Sequence, residues 1–116
     1  MEIQDRTFKL GVKIAEFAIA LYKKQELQVL LKQLLRSGTS IGANMEEADG
    51  AVSKKDFINK VSISFKEAKE TRYWLRILQE AELLKNQENL NKLLNLLKET
   101  EEIANVLGAI LKKAKA

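Results

Sequence analysis

Three carboxylates stand close together in "MEEAD", where Glu46, Glu47 and Asp49 fall within four residues. Hard oxygen ligands of this kind suit magnesium or calcium. Adjacent positions on a helix, however, point about 100° apart, so an octahedral site would need ligands from elsewhere in the chain. A solvated face, or salt bridges to Lys54, Lys55 or a neighbouring chain, is the simpler role. A metal-dependent nuclease built on these three acids is therefore a distant alternative, and no metal ligand is assigned.

Other catalytic chemistry is restricted by composition. The 116 residues include no cysteine and no histidine, so thiolate nucleophiles, disulfides, imidazole bases and His-based metal sites are excluded. Ser37 and Ser40 with Lys32 would be a Ser–Lys pair only at the spacing any amphipathic helix provides. Gly38 and Gly42 do not make a phosphate loop, because no Lys-Ser/Thr follows and no strand precedes. No catalytic residue and no cofactor is assigned, and the chain is not expected to be an enzyme.

The charge pattern favours binding. The net charge is +4, and residues 54 to 76 carry the whole excess, with seven bases against three acids. Lys54, Lys55, Lys66, Lys69, Arg72 and Arg76 lie along one flank of a helical projection. Such a flank can hold phosphates of RNA or DNA and release counterions, giving salt-dependent, sequence-tolerant binding. Tyr73 shares the flank and could stack on a base. The plainer alternative is an ordinary solvated face.

These groups must be positioned by helices. There is no proline, and Leu, Lys, Glu and Ala are abundant. Ile3, Thr7, Leu10, Ile14, Phe17 and Leu21 form a first apolar stripe, with Asp5 as a plausible cap. Leu27, Leu30, Leu34, Ile41, Met45 and Ala48 form a second, and it keeps phase through "RSGTSIGANMEEADG" despite the glycines. Gly50 is the expected stop. Ser53 opens a capping box, "SKKD", with Asp56. The spacing predicts helices over about 3–23, 27–50, 54–84 and 87–113, in one domain covering 1–116. Short connections make this an all-α, antiparallel up-down-up-down four-helix bundle.

Two helix faces need explanation. On the second helix, Gln33, Ser37, Ser40, Asn44 and Glu47 form a polar stripe of small or hydrogen-bonding residues. With Gly38 and Gly42 it suits close packing against a neighbouring helix. On the third, Phe57, Val61, Phe65, Ala68 and Leu75 make the core stripe, while Ile63, Trp74, Ile77 and Ala81 project to nearly the opposite side. A single bundle buries one stripe per helix. A homo-oligomer interface at Ile63, Trp74 and Ile77 is expected, with Glu67 and Glu70 pairing to a base of the neighbour.

The motifs "KQLLRSGTSIGANMEEA", "SKKDFI" and "SISFKEAKETRYWLRIL" resemble the four-helix-bundle family of ribosomal-RNA intervening-sequence proteins, across residues 29 to 84. The resemblance implies a homopentameric ring. It also implies a link to a branch of retroelement accessory variability proteins, which bind nucleic acid and a reverse transcriptase. Arg36, Ser40, Asn44, Glu47, Lys54, Lys55 and Phe57 occupy the family's motif positions. The connection between the first two helices is shorter here, and the net charge is lower than a dedicated RNA binder suggests.

Two functions follow as expectations. The first is a non-enzymatic oligomer holding nucleic-acid phosphates non-specifically through the third helix and the C-terminal Lys112, Lys113 and Lys115. The second is a structural scaffold recruiting a protein partner such as a reverse transcriptase, with no direct nucleic-acid contact. No membrane partner is expected, because no uncharged run is longer than the nine residues from Ser37 to Met45. A cytoplasmic location follows as the default.

Overall fold

Each helix begins or ends where its local chemistry dictates. Ser53 is extended, and its hydroxyl accepts the Asp56 amide at 3.0 Å, which starts one helix. Asn86 does the same for the Asn89 amide at 3.1 Å and starts another. In this computed structural model, which describes residues 2–116, the helices are α1 (Glu2–Leu21), α2 (Gln28–Asp49), α3 (Lys54–Glu80) and α4 (Gln87–Lys115). A 3-10 turn at Gln25–Leu27 joins α1 to α2. The helices pack in cyclic order into a rod of 46 × 20 × 20 Å. The expected all-α up-down-up-down bundle is the architecture found.

Three boundaries differ from those the spacing predicts, each for a local reason. First, α1 stops at Leu21, because Lys24 turns extended and drops Leu27 into the core. The Gln28 side chain then donates to the Tyr22 carbonyl at 2.8 Å, satisfying one of the acceptors left at the end of α1. Second, α3 ends at Glu80 although the apolar pattern runs on to Leu84. Glu82 adopts φ 53°, its amide bonds the Gln79 carbonyl, and the Leu83 amide reaches the Leu78 carbonyl. That is a Schellman motif with glutamate where glycine is usual. It turns the chain and leaves Leu84 buried. Third, α4 continues to Lys115, with Lys112, Lys113 and Lys115 in its last turn, where cations complement the helix dipole.

The core takes up the first stripe whole and most of the second and third, with Leu30, Phe57 and Phe65 only half-buried. Leu10, Ile14, Leu31, Leu34, Ile41, Met45, Leu75, Leu93, Ile103 and Leu107 are all fully buried. α1 and α2 approach closely and antiparallel. A Cβ on Gly42 would lie 3.0 Å from the Thr7 carbonyl oxygen, and one on Gly38 would lie 2.6 Å from Ile14 Cδ1. The glycines act on α1, and the bland packing role expected for them is the one observed. α1 is also tied to α4: Arg6 forks onto Glu99 at 2.7 and 3.2 Å and reaches Glu102 at 3.2 Å. The hydrogen bond to Glu99 raises the guanidinium pKa above its ordinary value, outweighing a smaller opposite effect of burial.

Candidate nucleic-acid interface

The polar stripe of α2 divides between two partners. Ser37 is buried and shares a 2.9 Å hydrogen bond with Thr71 of α3. Glu47 pairs with Lys60 of α3 at 2.8 Å, which raises the lysine pKa above its ordinary value. Ser40 and Asn44 instead bond the carbonyls of Arg36 and Ser40 in their own helix, at 2.7 and 2.8 Å. Two further residues complete the α2–α3 seam, and sequence reasoning had not singled them out. Ser64 donates to the Ile41 carbonyl at 2.8 Å, and Thr71 Oγ1 also lies 2.8 Å from the Glu67 carbonyl. Their signal was a hydroxyl residue on the core stripe of α3. A helix tolerates such a residue because a nearby carbonyl can take the hydroxyl proton.

Glu67 and Glu70, expected to meet a base from a neighbouring copy, are taken up within the chain. Arg36 reaches both carboxylates, with Glu67 at 3.2 Å. The contacts of Ser64, Glu67, Glu70 and Thr71 turn that side of α3 onto α2. Trp74 stands one turn further along the same side, so it is not on the solvent face that a single-helix projection gave it. The ring is half-buried against the core, and it meets Tyr73 edge-on with centroids 5.1 Å apart. Its Nε1 is closed off from solvent without a hydrogen-bond partner among the described residues. Ile63 and Ile77 are half-buried and Ala81 is exposed.

The basic residues lie on the outward side of α3. Lys54, Lys55, Lys66, Lys69, Arg72 and Arg76 are all exposed. Lys69 stands 5.2 Å over the Phe65 ring, and Arg72 lies 3.8 Å from Glu101 of α4. Gly108 faces Phe65, and Glu101 faces Arg72, so α3 and α4 run antiparallel. That arrangement brings Lys112, Lys113 and Lys115 to the end of the bundle where Lys54 and Lys55 begin α3. The basic strip therefore runs along α3 and widens at one end. Tyr73, 56% exposed, lies within it.

The acidic cluster does not gather. Glu47 turns to Lys60 while Glu46 sits beside Gln4, Asp5 and Phe8 of α1. No group of three His, Cys, Asp or Glu residues is placed to hold a metal ion among the described residues. No helix among them is long and apolar enough to cross a membrane. A groove of about 400 Å³ opens between α1 and α4, with Phe17, Leu21 and Leu96 among its lining residues, away from the basic strip.

Comparison with known proteins agrees with the bundle. The family model described as 23S rRNA-intervening sequence protein matches residues 1–108. The chain is also similar to a crystal structure from Bacteroides thetaiotaomicron VPI-5482, of a protein with unknown function from the S23 ribosomal protein family. The two share 40% identity at a TM-score of 0.84, over 95% of this chain and 98% of that one. No curated protein matches.

Proposed function

The chain belongs to the family of 23S rRNA-intervening sequence proteins, and on that footing we propose that it is a non-enzymatic, oligomeric binder of RNA or DNA phosphates in the cytoplasm. The observation that carries the proposal is the exposed strip of Lys54, Lys55, Lys66, Lys69, Arg72 and Arg76, widened by the lysines ending α4. Exposed, flexible cations on one side of a rigid rod bind a polyanion by charge and do not read base edges. Copies assembled into an oligomer would repeat the strip and strengthen a weak field. A homopentameric ring is the assembly the family resemblance suggests.

A gel-shift series across salt concentrations tests this. Binding should weaken steeply with salt, differ little between sequences, and vanish when Lys66, Lys69 and Arg72 are replaced by glutamate. Salt-insensitive binding, or a charge-reversed triple variant that binds as well as wild type, would refute it. The modest net charge of +4 favours one other function, a scaffold that recruits a protein and leaves nucleic acid to that partner. A stoichiometric protein retained after nuclease treatment, with no shift by the chain alone, would establish that alternative.

A further inference from the structure

Two aromatic rings are exposed among the described residues, and their surroundings differ in charge. Phe8, 60% exposed on α1, lies beside Asp5 and Glu46. Tyr73, 56% exposed on α3, lies among cations. Lys69 stands one turn before it and Arg76 one turn after, while Lys66 stands two turns before on nearly the same line, and all three are exposed. The one acid a turn away, Glu70, is engaged by Arg36 of α2. An anion approaching Tyr73 therefore meets cations along the helix and a carboxylate that is already paired.

The ring itself is held and open. Trp74 meets it edge-on, with centroids 5.1 Å apart and planes at 74°. Such a contact covers at most one face of the Tyr73 ring, so a face remains free, while packing against Trp74 limits its rotation. Side chains of a helix lean toward its N-terminus. Lys69 does so in reaching 5.2 Å over the Phe65 ring. The ring and the cations before and after it thus keep their order along the strip.

We propose that Tyr73 makes this strip a site for single-stranded nucleic acid, with an unpaired base stacked on its ring and the flanking phosphates held by Lys69 and Arg76. The inference rests on the phosphate-binding reading and adds the form of polynucleotide that is bound. Inside a duplex each base is already stacked on both faces, so a convex helix flank reaches only phosphates and groove edges. An unpaired base offers a face that an aromatic ring can cover. Stacking uses the base and not the sugar, so RNA and DNA strands are equivalent ligands.

Fluorescence anisotropy tests this with three labelled probes of one length: a single strand, its blunt duplex, and an abasic strand. The base-bearing strand should bind about tenfold more tightly than the abasic strand, which carries the same charge. Tyr73→Ala should remove that advantage while leaving duplex affinity, the salt slope and the helicity unchanged. Tyr73→Phe should keep it. Tyr73→Leu, which retains an apolar contact with Trp74 but no aromatic face, should behave as Tyr73→Ala. Equal binding of base-bearing and abasic strands would overturn the inference and leave charge-based binding in place. So would a Tyr73→Ala chain that weakens on duplex and single strand alike. Failure of the wild type to bind any of the three probes would overturn both readings.

Discussion

Gly42 rests against the backbone of Thr7, so close that a Cβ added there would stand 3.0 Å from the Thr7 carbonyl oxygen and 3.2 Å from its carbon. The obstruction is main chain and cannot rotate away. Alanine would raise helix propensity by roughly 1 kcal/mol, but separating two packed helices costs about 1–3 kcal/mol. Gly42→Ala should therefore lower stability by up to about 2 kcal/mol. Gly11 faces the same seam with nothing nearer than 3.9 Å. Gly11→Ala should raise stability by about 0.5–1 kcal/mol. Urea denaturation of the two variants checks the opposite signs.

The α2–α3 seam gives a second contrast. Ser64 Oγ donates to the Ile41 carbonyl in a fully buried position. Ser64→Ala removes that bond and leaves a carbonyl that lies inside α2, at a cost of about 1 kcal/mol. Ser64→Val adds methyl groups where no space remains and should cost about 1–3 kcal/mol more. Thermal melting should rank wild type above Ser64→Ala and Ser64→Val last. A valine variant as stable as the alanine one would mean the seam is looser than described.

These positions show what a single chain of letters can convey. The core stripe of α1 was legible residue by residue, because Ile3, Thr7, Leu10, Ile14, Phe17 and Leu21 share one helical phase and all are buried. The course of α2 through Gly38 and Gly42 was legible for the same reason. Trp74 was not. Its projected angle lies well away from Val61 and Leu75 on an isolated helix, yet the Arg36 contacts with Glu67 and Glu70 turn that side of α3 onto α2. The relative rotation and register of packed helices depend on contacts such as Arg36 with Glu67, and these have no signature within one helix. The basic strip was legible because outward-facing charge follows from the position of the core.

Glu82 provides a test of local strain. It occupies the left-handed position that closes α3, at φ 53°. Residues other than glycine and asparagine carry a cost of roughly 1–2 kcal/mol in that region. Its side chain is exposed, so replacement removes no buried contact. Glu82→Gly should stabilise the protein by about 1 kcal/mol, and a rise in melting temperature is the readout. Glu82→Val should lower it, since branching at Cβ makes the left-handed conformation harder to reach.

Within the basic strip, individual residues should not contribute equally. Arg76 and Lys66 have no ion pair among the described residues, whereas Arg72 stands 3.8 Å from Glu101. Each cation that meets a phosphate adds about 0.9 to the slope of log affinity against log salt on duplex DNA. Arg76→Gln and Lys66→Gln should each lower the slope by nearly that amount. Arg72→Gln should lower it less, because Glu101 already neutralises part of its charge, and Glu101→Gln should raise affinity by freeing Arg72. Fluorescence anisotropy with one labelled duplex at several salt concentrations measures all four slopes. If Arg72→Gln proved as damaging as Arg76→Gln while Glu101→Gln did nothing, the ion pair would not persist in solution. If none of the four changed the slope, the phosphates would be held elsewhere on the bundle.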